Sequence, residues 1–420
     1  MSSRTLKLAL VPAGGRRLVR ALALLFMLAA LAIAADSAWT QQQELTASNA
    51  MFNDQFGRAV SVSGNTAVIG ADGKNGSQGA AYVFVRSDGV WSQQAELTAS
   101  DGAAQDGFGG SVSLSGNTAV IGADGKNGSQ GAAYVFVRSD GVWSQQAELT
   151  ASDGTAGDSF GFSVSVNADT VVIGAFEKND YQGAAYVFVL SGGIWSQQQK
   201  LTASDGAGSD NFGSSVSVSG DTTMIGAPGK NGLQGAAYVF VLGGGAWSQQ
   251  EELTASDGAA QDEFGYSVAV SGTTAVIGAV GKNTQRGAAY VFVLSGGVWS
   301  QQQELTASDG AAGDVFGSSV SVSGTTAVIG AWAKTVNSLT YQGAAYGFVL
   351  KDETWGQQEE LTASDGAGES WFGYSVSVSG NTALIGAYVK SGQQGAAYVF
   401  VHASRIVPDF GLPRGVRRPL

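Results

Sequence analysis

One stretch of text, FGGSVSLSGNTAVIGADGKNGSQGAAYVFVRSDGVWSQQAELT from Phe108 to Thr150, recurs seven times along the chain with small changes. The Phe-Gly pair that opens it falls at Phe56, Phe108, Phe160, Phe212, Phe264, Phe316 and Phe372, a spacing of 52 residues that lengthens once to 56. Self-similarity at this length means one supersecondary unit that cannot bury its apolar face alone and must stack on its neighbours. A single domain is therefore expected, although 420 residues would ordinarily suggest two or three.

Within each copy, four short apolar segments alternate with turn words, the pattern of four strands rather than of helices. The first, FGxSVSVS, alternates Val and Ser and ends in Ser-Gly-Asn-Thr or a relative of it, a hairpin turn. The second and third, TAVIGA and GAAYVFV, are nearly all apolar, so both of their faces should be covered. The fourth, WSQQxELT, alternates again and carries the Gln pairs, as a strand at the outer rim of a sheet would. No Gly-rich phosphate loop is expected, since the glycines sit at strand ends in every copy and precede no helix.

Seven sheets stacked in a row would leave two apolar end faces, and closing the row into a ring removes both. A β-solenoid is the rival, but it needs distinct capping repeats, and none is present. The chain ends decide the matter. The fourth-strand word begins at Trp39, Trp91, Trp143, Trp195, Trp247, Trp299 and Trp355, so its first copy, Trp39 to Thr46, precedes the first Phe-Gly, while the last repeat stops after its third strand, Gly395 to Val401. The expectation is an all-β, seven-bladed β-propeller of four-stranded antiparallel blades, with the N-terminal strand completing the last blade.

The words FGxSVSVSG, AVIGA and GAAYVFV resemble the FG-GAP repeat, the unit of the seven-bladed propeller at the N-terminus of integrin α subunits and of many bacterial secreted proteins. The resemblance covers roughly residues 39 to 401 and implies a binding module that presents its loops to a partner. In the integrin family the turn between the first two strands is often a calcium loop of the D-x-D-x-D-G kind, rich in the oxygen ligands a hard cation needs. Here that turn reads SGNT, NADT, SGDT or SGTT, with at most one carboxylate, Asp169 or Asp221. The family's calcium loop is thus not present, and no cofactor is expected, calcium at other acidic loops staying open.

Arg4, Lys7, Arg16, Arg17 and Arg20 precede the apolar run Ala21 to Ala35, which ends in A-x-A spacing at Ala32 and Ala34. This is the pattern of a signal peptide over residues 1–34, too short to span a bilayer, followed by the propeller over 35–402 and a disordered basic tail over 403–420. Cleavage would remove five of 22 basic residues and none of 34 acidic ones, leaving a formal charge of −17. Such a charge argues against nucleic acid or an anionic membrane as partner. A secreted monomer, in the periplasm, at the cell surface or beyond it, is expected. There is no cysteine, so packing and strand pairing alone must hold the fold.

Positions that recur seven times should build the blade: the Phe of Phe-Gly, the Tyr of AAYVF and the Trp of WSQQ read as core. Two carboxylates recur in the connection from one blade to the next, as at Asp101 and Asp106 or Asp205 and Asp210. They read either as an acidic ring around one mouth of the channel or as Asx turns in a Gly-rich connection. A lysine recurs between the second and third strands, at Lys74, Lys126, Lys178, Lys230, Lys282, Lys334 and Lys390, and exposed Asp–Lys pairs around the rim are expected.

Positions that differ among copies are the candidates for function. In the loop between strands two and three, aromatics enter only where the repeat is broken: Phe176 and Tyr181, then Trp332 and Tyr341 in the sixth copy, which also holds the four extra residues, and Tyr388 in the seventh, with Trp371 in the neighbouring connection. Trp332, Tyr341, Trp371 and Tyr388 form the candidate partner-binding surface. Catalysis has little material: the single histidine, His402, is placed beyond the last strand, and no cysteine is available for a nucleophile or a metal. The reading is a secreted or cell-surface, non-enzymatic adhesion module for an extracellular protein; the alternative is a carbohydrate-binding or carbohydrate-cleaving protein using the aromatic loops of blades six and seven.

Overall fold

In a computed structural model of the chain, which describes residues 38–402, Trp39–His402 forms seven four-stranded antiparallel sheets. Blade 1 is built of Val60–Ser63, Thr66–Ala71, Ala80–Ser87 and Val90–Leu97. Five further blades repeat that order, and blade 7 takes Ser375–Ser379, Thr382–Ala387 and Ala396–His402 from the C-terminal side and Trp39–Leu45 from the N-terminal side. Trp39 pairs with His402 and Leu45 with Ala397, so the chain's first strand closes the ring as its sequence displacement requires. Among the described residues, no helix is long and apolar enough to cross a membrane.

The core lies between blades rather than within one. Each of the seven apolar clusters joins one face of a blade to the facing side of the next, as where Val68, Ala81 and Val83 of blade 1 meet Ile121, Tyr134 and Phe136 of blade 2 around Phe108. The clusters at the seam, around Phe372 with Trp39 and around Phe56 with Leu45, have the same make-up, so no end face is left open. The TAVIGA and AAYVFV strands are buried along nearly their whole length, as their unbroken apolar text requires.

The first strand is shorter than FGxSVSVS suggests. In most blades only the Val-Ser part pairs with the second strand, and the Phe-Gly pair forms a parallel bridge to the previous blade instead, for example Phe108 with Gly79. The glycine has φ near +99° at Gly109, a conformation that a side chain disfavours. His402 also departs from expectation. It is the last residue of the last strand, buried, with its ring 5.0 Å from that of Trp39.

The Val-Ser alternation is explained at the axis. The innermost strand of each blade turns unpaired N–H groups toward the channel, and serines of the preceding blade satisfy them at six of the seven boundaries, blade 5 carrying Ala269 at that position. Ser61 Oγ accepts from Leu114 N–H, Ser113 from Val166, Ser165 from Val218 and Ser377 from Val62, each at 3.0 Å. A second ring of such bonds lies at the hairpin turns, where Ser63 accepts from Gly116 and Ser379 from Gly64.

The Gln words do the same at the outer rim. The first Gln of each outer strand accepts the backbone N–H of a serine in the connection entering its blade, as Gln93 from Ser48 and Gln145 from Ser100 at 2.9 Å. The seventh of these bonds, Ser364 to Gln41, spans the seam. The second Gln is a bulged residue, skipped in the pairing where Val83 faces Ala95 and Phe84 faces Gln93. From there Gln94 accepts the indole N–H of Trp143 at 3.0 Å.

One residue further on, Gln43, Gln199 and Gln303 each exchange two hydrogen bonds with the backbone of the next blade's tryptophan, Trp91, Trp247 and Trp355. Blades 1 and 2 carry Ala95 and Ala147 at this position. The tryptophans that follow them are the least buried of the seven, Trp143 only partly and Trp195 with 9% exposed against 2–3% for the rest. Restoring glutamine should therefore tighten two blade interfaces. Ala95→Gln and Ala147→Gln are each expected to stabilise by about 0.5–1 kcal/mol, read as a higher urea midpoint at unchanged slope, with the double variant close to the sum.

Candidate functional site at the channel mouth

Both variable connections emerge on one face. Each inter-blade connection threads between the second-to-third-strand loops of the two blades it joins: Gly107 N–H donates to Ser77 O, and Gln78 Nε2 to Gly102 O, on the side of blade 1. On the side of blade 2, Lys126 reaches back to the same connection. In most blades the loop makes a single left-handed turn, as at Asn75 (φ 52°, ψ 45°) and Gly76 (φ 68°, ψ 40°). The four extra residues of blade 6 replace that turn with a small bridge between Val336 and Leu339.

The recurring lysine and carboxylates are not an exposed rim pair. Lys230 Nζ lies 2.8 Å from Asp205 and 3.3 Å from Asp210, and the side chains of Lys230 and Asp210 are each only 7% exposed. Asp205 also accepts the hydroxyl of the buried Tyr238 at 2.9 Å, and Asp210 accepts the N–H of Ala207 at 2.8 Å. This is the turn reading of the two carboxylates, with a lysine where the acidic ring would put a cation. The expectation of exposed pairs is corrected because the connection folds over the ammonium group and shields it. Among the described residues, no group of three or more carboxylate or imidazole side chains is placed to hold a metal ion.

The candidate aromatics of blades 6 and 7 do come together. Trp332 lies 4.5 Å from Trp371 between ring centroids, and Trp371 lies 5.4 Å from Tyr388. Tyr341 stacks at 6.3 Å from Trp332 at the outer side of the cluster, half exposed. Tyr388 is 7% exposed, so it backs the cluster rather than presenting itself. The Phe176 and Tyr181 rings lie 6.0 Å apart on blade 3.

Sequence reasoning missed the residue that follows Phe-Gly. It is Arg58, Gly110, Phe162, Ser214, Tyr266, Ser318 and Tyr374 in the seven copies, as variable as the loops, yet it reads as part of a strand word. All seven line the mouth of the axial channel, a cavity of about 480 Å³ that also takes in Trp332 and Phe176. Tyr374 joins the aromatic cluster at 4.6 Å from Tyr388. Arg58 stands over both of these rings, at 5.8 and 5.4 Å, while its Nε lies 3.1 Å from Asp72. The mouth is thus aromatic on blades 3, 5, 6 and 7 and charged on blades 1 and 2. Burial pushes the Asp72 carboxyl up to about 6 against the pull of Arg58.

The Asp205 carboxyl, in contrast, is held below the usual carboxylate range, first by the hydrogen bond from Lys230 and then, against burial, by Tyr238. Asp101 and Asp257 behave alike with Lys126 and Lys282. A depressed carboxyl stabilises the fold above the unfolded value of about 3.9, and that contribution is lost as pH falls through the folded value. Asp72 acts in the opposite sense, its protonation favouring the fold between about pH 6 and 4. The melting temperature should therefore hold or rise from pH 7 to about 5 and drop below about pH 4. Lys230→Met leaves Asp210 buried without its cation and is expected to cost about 3–5 kcal/mol at pH 7, with the gap to wild type narrowing below pH 4 in denaturant titrations.

Comparison with known proteins accords with the geometry. No curated protein matches the chain. A family profile described as FG-GAP repeat matches residues 39–84, 91–136, 143–188, 195–240, 247–292, 299–348 and 355–400. Each match starts at the outer-strand tryptophan of one blade and ends in the third strand of the next, the same displacement that closes the ring. With seven matched repeats over most of its length, the chain belongs to the FG-GAP repeat family.

Proposed function

We propose that this propeller is an extracellular, non-enzymatic interaction and adhesion module, secreted or held at the cell surface, that docks a protein partner on its loop face at blades 6 and 7. The observation that carries this reading is the joining of Trp332, Trp371 and Tyr374 into one cluster at the mouth, on the blades whose loops depart most from the repeat. Aromatic residues bury large areas at little entropic cost and are the residues on which binding energy concentrates. The lone histidine is taken up in packing against Trp39 at the far end of its strand. A monomer acting without a cofactor suits this role.

A second reading rests on the cavity itself. Trp332, Phe162, Tyr266 and Tyr374 line about 480 Å³ at the mouth, a space and a lining that also suit a sugar ring. Two measurements with the mature protein and a Trp332→Ala/Trp371→Ala double variant separate the readings. On a glycan array, signal from wild type that the variant loses favours the sugar. In crosslinking on intact cells of the source organism, a surface protein captured by wild type and not by the variant favours the protein partner. Equal capture by both proteins would remove blades 6 and 7 as the docking site.

A further inference from the structure

Blades 1 and 2 share an identical run of 40 residues, Ser63–Gly102 and Ser115–Gly154, and so carry the same loop text, DGKNGSQ, beginning at Asp72 and Asp124. Two of the positions at which their surroundings differ flank the Phe-Gly pair. Blade 1 has Gln55 before Phe-Gly and Arg58 after it, whereas blade 2 has Gly107 and Gly110. In blade 1 the guanidinium of Arg58 fills the space before Asp72 and pairs with it at 3.1 Å. In blade 2 that space is open. A Cβ on Gly110 would stand 3.5 Å from Asp124 Oδ1 and 4.0 Å from Asp72 Oδ2, and one on Gly107 would stand 3.2 Å from Asp124 Oδ1. Both carboxylates therefore border the slot over Gly110, where blade 1 has its arginine, with Gly107 O at 3.3 Å as its nearest backbone atom.

The rest of the slot is built for a flat cation. Asp124 has no ion pair among the described residues, and its carboxyl is raised by burial, which its own backbone N–H and then Arg58 offset only in part. Phe162 and Phe176, with ring centroids 4.4 Å apart, stand on blade 3 and line the same cavity, with Phe162 41% exposed. One buried oxygen at the slot, Asp72 Oδ1, has no hydrogen-bond partner. A planar guanidinium presents a fork of donors that a carboxylate accepts, and its face stacks on aromatic rings, as Arg58 does with Tyr374 and Tyr388.

We propose that the channel mouth over Gly110 is a binding site for the guanidinium group of a small molecule, held by Asp124 and Asp72 and flanked by Phe162 and Phe176. The site uses blades 1 to 3 and is independent of the partner surface on blades 6 and 7, so either can fail without the other. Calorimetric titration of the intact chain with agmatine is the test, with calcium chloride as a second titrant. Wild type is expected to bind about one equivalent of agmatine. Asp124→Asn should weaken that binding by about tenfold or more. Gly110→Arg, which rebuilds the arrangement of blade 1 at a position whose φ is not in the left-handed region, should abolish it while the melting temperature is kept. Absence of agmatine binding to wild type overturns the proposal, as does binding that both variants retain. Heat with calcium and none with agmatine overturns it in favour of a hard-cation site.

Discussion

The close approach of backbone to backbone at each Phe-Gly pair is the contact on which the ring depends. Gly109, entering blade 2, lies against the second and third strands of blade 1, so that a Cβ on Gly70 would overlap the carbonyl oxygen of Gly109 and one on Gly79 would overlap that of Phe108. Glycine is required on both sides, for space at Gly70 and for a positive φ at Gly109 and Gly79. Once the backbones touch, Phe108 is fixed in the inter-blade core, with its ring 5.5 Å from Tyr134 and 6.0 Å from Phe136. The connection is then held low enough to fold over the lysine of the next loop. Burial of that ammonium with the second of its two carboxylates is thus a consequence of the Phe-Gly contact, while the first carboxylate, as at Asp205, stays half exposed.

A chain with only 13% charged residues and no disulfide must satisfy its strand edges with neutral groups. Serine does so at the axis and glutamine at the outer rim, in both cases across a blade boundary. Ser61 reaches from blade 1 to Leu114 of blade 2, and Gln94 from blade 1 to Trp143 of blade 2. Each bond contributes little by itself, but none can form unless neighbouring blades are in register, so polar recurrence specifies the stacking that apolar recurrence drives. The residue ahead of Phe-Gly adds a fixed cost. It has positive φ in every blade, including Val315 and Trp371, where a side chain makes that conformation unfavourable by roughly 1–2 kcal/mol.

The candidate site was partly legible from the copies compared with one another. Variation singled out Trp332, Trp371 and Tyr388, and these rings do meet. Their neighbours Arg58, Phe162, Tyr266 and Tyr374 escaped because they sit inside the most regular word of the repeat, where a changed residue passes for drift within a strand. The backbone settles the matter: Phe-Gly bends the chain away from the sheet, and the next side chain points into the channel mouth instead of lying along a blade. Gly110 carries the same lesson in reverse, since the lack of a side chain has meaning only beside Arg58.

The sequence by itself determined the number of blades, their four strands and the closure of the ring. Period and displacement are properties of the text, and an apolar sheet face has no stable fate but to be covered by the next copy. The signal peptide over residues 1–34 and the basic tail over 403–420 are likewise sequence readings, and both lie outside the described residues. Tertiary structure alone decided that the lysine knots are buried, that His402 ends a strand against Trp39, and that seven single residues scattered every 52 to 56 positions converge on one mouth. The reason is geometric: a ring brings together at its axis what the chain keeps farthest apart, and no local pattern records which side chains will face each other there.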